Sequence, residues 1–101
     1  DRPGMSIDLI KKVVAEYYSV KIDDMSAKIR TKEIANARQV AMYLARELTA
    51  HSLPRIGEEF GGRDHTTVLY ACEKIRSTMR ADPDIEKAVR TILESLKKYA
   101  P

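Results

Sequence analysis

The chain has 101 residues, 44% hydrophobic and 33% charged, which allows one domain with a modest core and leaves no room for a second. No apolar run nears the ~20 residues of a bilayer span, no signal-peptide pattern opens the chain, and the lone Cys72 excludes an internal disulfide and fits a reducing compartment. The expectation is a soluble, cytoplasmic domain whose net charge of +3 decides little by its size.

The placement of the charge says more. Lys28, Arg30, Lys32, Arg38 and Arg46 face only Glu33 between residues 28 and 46, a positive block of the kind that attracts an anionic partner. An ordinary solvated helix face would read the same way. With no Trp and one Phe, the core must be aliphatic, with tyrosines at its edges.

Pro3-Gly4 reads as the end of a linker helix. Ser6 then caps a helix on which Ile7, Ile10, Val13, Val14 and Tyr17 keep a three-four spacing. Met5 and Ile10 are placed for a hydrophobic staple, and Asp8 suits the N-terminal dipole. This helix should fade near Ser19. Asp23-Asp24 points to a short capped turn or helix ending near Ala27, and Ser26 to Thr31 reads as a basic loop. Thr31 is the expected N-cap of the longest helix, from about Lys32 to His51. Its stripe is Ile34, Ala37, Ala41, Leu44, Ala45 and Leu48, with Val40 alongside. Arg38 and Arg46 lie eight residues apart, about 80° around a helix axis, so both are expected to look outward.

Ser52 caps a short helix with Pro54 in its first turn, and Gly61-Gly62 ends it. Asp64 caps the next helix, which begins at His65 and buries Val68, Leu69, Cys72 and Ile75, with Met79 one turn on. Asp82-Pro83 starts a last helix with Ile85, Ala88, Val89, Ile92, Leu93 and Leu96 inward. No segment shows the period-two alternation of a strand. The fold class expected is all-α, a single domain over residues 1–101 with about six helices.

Residues 52–80 have the outline of a helix-turn-helix: a short helix, a glycine turn and a longer helix. In that motif the second helix enters the major groove and its first turn meets base edges. Here that turn is Asp64-His65-Thr66-Thr67. Asp64 can accept from cytosine N4 or adenine N6, and His65 can donate to a purine N7 or pack on a thymine. The two threonines offer methyls to thymine and hydroxyls to a base or phosphate. Arg63 suits a backbone phosphate. The plainer alternative is that Asp64 is an N-cap and nothing more, within a helical hairpin.

The run Gly61-Gly62-Arg63-Asp64-His65-Thr66-Thr67-Val68, continuing through Tyr70-Ala71-Cys72 to Lys74-Ile75, resembles the signature of the C-terminal DNA-binding domain of the DnaA family, the bacterial initiators of chromosome replication. Ala37-Arg38-Gln39-Val40-Ala41-Met42-Tyr43-Leu44, Arg46-Glu47-Leu48-Thr49, Ser52-Leu53-Pro54 and Ala15-Glu16-Tyr17-Tyr18 resemble it in register, so the likeness covers nearly the whole chain. It implies a six-helix, Trp-repressor-like domain that binds short asymmetric DnaA boxes in duplex DNA as a monomer. Arg63, Asp64, His65, Thr66 and Thr67 then match major-groove and adjacent phosphate contacts, and Arg30 matches an arginine inserted in the neighbouring minor groove. Lys28, Arg38, Gln39, Arg46 and Lys74 match phosphate-contacting positions. ATP and Mg belong to an AAA+ module outside this segment, as do contacts with other initiator molecules, and acidic membrane lipids are a partner expected of the intact protein alone. Ile29 and Asn36 stand where relatives carry more basic residues, which implies a shallower salt dependence.

Enzymatic readings find little support in the sequence. Cys72 lies on the apolar stripe, where a buried small hydrophobe is the better reading. His51, His65 and Asp64 lack metal-ligand spacing, and no GxxxxGK phosphate loop is present. A helix-turn-helix transcription regulator remains the alternative, distinguished by an operator with two-fold symmetry.

Overall fold

A computed structural model describes residues 5–99, so the expectation at Pro3-Gly4 lies outside the described residues. Five α-helices and one short 3-10 helix follow in order: α1 (Ile7–Tyr18), the 3-10 helix (Ile22–Met25), α2 (Lys32–Leu48), α3 (Leu53–Glu59), α4 (His65–Thr78) and α5 (Pro83–Lys97). No strand occurs among the described residues. The count of about six is met only if the four-residue 3-10 helix is included.

Helix starts follow the capping chemistry of the sequence. Ser6 accepts from the Leu9 N–H at 3.1 Å, Ser52 from Arg55, Asp64 from Thr66 and Asp82 from Asp84. Each satisfies a donor that the first turn leaves without a partner. Thr31 departs from this pattern. It occupies the N-cap position of α2, but its side chain makes no capping bond. α1 ends as expected at Ser19, which takes the left-handed conformation at φ 56° and donates to Ala15 and Glu16 carbonyls.

α2 is the central element, packed on α1, α3, α4 and the 3-10 helix, while α5 packs chiefly on α1. Ala37, Ala41 and Ala45 are fully buried along it. Three small side chains at helical spacing let α1 and α4 approach α2 closely. Met42, absent from the expected stripe, is also buried, whereas Ile34 and Leu48 are half-buried. On α4 the buried residues are Val68, Ala71, Cys72 and Ile75; Leu69 is half-exposed, with Ala71 in the place expected of it. The Cys72 thiol donates to the Met42 carbonyl at 3.7 Å, and burial raises its pKa.

α3 and α4 meet at a close backbone crossing. The Arg63 N–H donates to the Gly57 carbonyl at 2.9 Å. A Cβ built on Gly57 would stand 1.9 Å from the Arg63 carbonyl oxygen, so only glycine fits there without moving the turn. Phe60, fully buried, anchors the turn in the core.

Candidate nucleic-acid interface

After α3, Gly61 and Gly62 take φ values of 85° and 77° and swing the chain outward. Asp64 then opens α4 with extended backbone. Asp64, His65, Thr66 and Thr67 all stand exposed. The first turn of the second helix of the motif is thus presented outward.

The side chains there have distinct hydrogen-bonding capacities. Asp64 Oδ1 accepts from the Thr66 hydroxyl at 2.5 Å and from the Thr66 N–H at 2.6 Å. Those two bonds, the hydroxyl first, hold the Asp64 carboxyl below its ordinary value. An ionised carboxylate only accepts, so among base-edge groups it can take amino groups alone. The Thr66 proton is committed to Asp64, which leaves its methyl and an oxygen lone pair for a partner. The His65 ring makes no hydrogen bond among the described residues, so both its nitrogens are available to a ligand.

Beside this turn lies a cleft of about 430 Å³ lined by Lys28, Arg30, Arg38, Arg63, Thr67 and the two turn glycines. Four cations and no carboxylate line it. Burial lowers the Arg38 guanidinium pKa, with the charge of Arg63 adding to the effect. Arg63 is lowered by burial and then by Arg30. Guanidiniums that perturb one another with no acid between them create a local potential favourable to an anion.

Of the residues expected at the interface, Lys28, Arg30, Arg38, Arg63 and Thr67 share this cleft, and Asp64, His65 and Thr66 adjoin it in sequence. Gln39, Arg46 and Lys74 lie outside its lining. Arg46 and Lys74 are exposed, and Arg46 lies against Cys72. Gln39 is half-buried; its Oε1 is buried without a partner, and no hydrogen bond among the described residues engages its amide.

Arg38 corrects an expectation. It does not look outward: only 7% of its surface is exposed. Its Nε donates to the Met25 carbonyl at 2.8 Å, and its Nη2 to those of Asp24, Ala27 and Ile29 at 3.3, 3.0 and 2.9 Å. Arg63 is similarly engaged, through Nη1 with the Phe60 carbonyl and through Nη2 with Ala27 at 2.9 Å. Both cations lend charge to the cleft while their donors hold main chain.

Lys11 is a buried cation that the sequence reading missed. It is 7% exposed, donates to Ser26 Oγ at 3.1 Å and to the Glu59 carbonyl, and lies 4.8 Å from the Phe60 ring centroid. Its position is a legible signal. With Ile7, Ile10 and Val14 it falls on the i, i+3, i+4, i+7 stripe of α1, where a charge must find acceptors inside.

A short helix, a glycine turn and a second helix with an exposed polar first turn define a helix-turn-helix domain. The family model described as bacterial dnaA protein helix-turn-helix matches residues 7–75, which include the basic loop, all of α3 and α4 as far as Ile75. The chain is also similar to the chromosomal replication initiator protein DnaA of Psychromonas ingrahamii, 54% identical over 91 residues, covering 90% of this chain and 20% of that protein. The chain therefore belongs to the bacterial DnaA helix-turn-helix family, of which it is the helix-turn-helix segment and not the ATPase module. It spans about a fifth of the relative's length.

Proposed function

We propose that this domain, folded in the Trp-repressor-like manner, binds DnaA boxes in duplex DNA at the replication origin, as a monomer. The observation that carries the reading is the exposed polar start of α4 beside a cationic cleft without a carboxylate. Asp64, His65, Thr66 and Thr67 read base edges in the major groove. Arg30 enters the adjacent minor groove, whose negative potential is greatest where an A·T-rich sequence narrows it.

Lys28, Gln39, Arg46 and Lys74 contact phosphates and set register without reading sequence. Major-groove contacts supply most of the discrimination, because the minor groove distinguishes mainly A·T from G·C. Fluorescence anisotropy with a box-containing duplex, a scrambled duplex and a two-fold symmetric operator tests the reading. Preference for the box at one protein per duplex supports it. Equal binding to the first two overturns it, and preference for the operator at two proteins per duplex favours a transcription regulator.

A further inference from the structure

The basic loop is held in an unusual way. The Ala27 N–H still donates to the Asp24 carbonyl at 3.2 Å, but from Lys28 to Arg30 no backbone N–H donates to another backbone group among the described residues. Its carbonyls are gripped by side chains instead. Arg38, on α2, reaches the carbonyls of Met25, Ala27 and Ile29. Arg63, from the turn before α4, reaches Ala27 as well. One carbonyl oxygen thus accepts from two guanidiniums that come from different elements.

The turn also abuts the root of the loop. A Cβ on Gly61, already at φ 85°, would lie 2.1 Å from the Ser26 carbonyl oxygen. Lys11 ties the Ser26 hydroxyl to the end of α3. The carbonyl of Ile29 held by Arg38 immediately precedes Arg30. The grip therefore acts one peptide unit from the residue assigned to the minor groove.

We infer that Arg38 and Arg63 are positioning residues: by sharing the Ala27 carbonyl they fix the bearing of the Arg30 loop relative to α4, and so govern minor-groove discrimination without touching a base. The inference rests on the function proposed above. Arginine is required for its shape. Its planar fork carries five donors, whereas a lysine has one nitrogen and cannot span the separate carbonyls that each arginine holds.

Arg38→Lys and Arg63→Lys test this, because each keeps the positive charge and removes the fork. Affinities are measured for the box, for a box with one major-groove base pair changed, and for a box with diaminopurine replacing adenine at its minor-groove end. Diaminopurine adds a minor-groove amino group and leaves the major-groove edge of adenine unaltered. In the wild-type domain it should weaken binding by about tenfold, the size of a lost specific contact. In either lysine variant that penalty should collapse towards unity while the major-groove penalty persists. In an Arg30→Ala background the lysine substitutions should have little further effect.

A lysine variant that binds all three duplexes as the wild type does would show that charge alone matters and would overturn the inference. So would a uniform loss on all three with the diaminopurine penalty intact. Melting curves accompany each variant; Arg63, half-buried, provides the same measurement if Arg38→Lys does not fold. Failure of the wild-type domain to prefer the box over scrambled DNA would instead remove the functional reading on which the inference rests.

Discussion

Gly57→Ala sets two physical effects against each other, and the structure decides between them. On helix propensity alone, alanine should stabilise α3 by about 1 kcal/mol. The added Cβ, however, would lie 1.9 Å from the Arg63 carbonyl oxygen, where real contacts begin at 3.0 Å. The turn must therefore retreat by roughly 1 Å, and buried overpacking of this kind costs about 1–3 kcal/mol. Retreat also strains the Arg63 N–H bond to the Gly57 carbonyl, worth about 1 kcal/mol. The clash prevails, and the net destabilisation is about 2 kcal/mol, or a fall in Tm of about 8–16 °C for a domain of this size. Circular dichroism melting measures it. Because the same turn sets the start of α4, affinity for the box should fall well below the melting range, with a smaller loss on random DNA. A variant that melts at or above the wild-type temperature would refute the reasoning.

His65→Ala should leave Tm unchanged, since the side chain makes no hydrogen bond among the described residues. It should weaken cognate binding by about 1–3 kcal/mol with little effect on random duplex; equal loss on both would make His65 a register contact. Arg46→Ala should weaken binding to all sequences alike and flatten the slope of log affinity against log salt by about 1, and an unchanged slope would exclude a phosphate contact. The Cys72 thiol, buried and with its pKa raised by burial, should react with a thiol reagent only at the rate of unfolding. Immediate labelling of native protein would show that the α2–α4 seam opens.

The parts of this fold legible in the sequence are those with local causes. Ser6, Ser52, Asp64 and Asp82 each accept a bond from two or three residues onward, so the cap and its partner lie within one window of sequence. The end of α2 is different. Residues up to His51 are compatible with a helix, yet the chain leaves it after Leu48, where Thr49 turns extended and its hydroxyl donates back to Ala45 at 2.6 Å. The exposed polar start of α4 was legible because it is contiguous, from Asp64 to Thr67. Arg38 was not, because a charge in a basic block reads as solvated; the place of Lys11 on the apolar stripe of α1 signals its burial, but the partners of both cations are hidden from the sequence. Their acceptors, main-chain carbonyls and the Ser26 hydroxyl, lie more than ten residues distant in most cases, and no local pattern reveals them.

The acceptors that Arg38 takes on residues 24–29 belong to the main chain, and every amino acid supplies one. Side chains at Lys28 and Ile29 can therefore be exchanged without altering the path of the backbone that delivers Arg30. A lysine at position 29 would add attraction for the sugar-phosphate backbone and leave base preference where it was. Under the function proposed above, affinity and selectivity in this loop would thus be separately adjustable, one through substituents and the other through the arginines that hold its carbonyls.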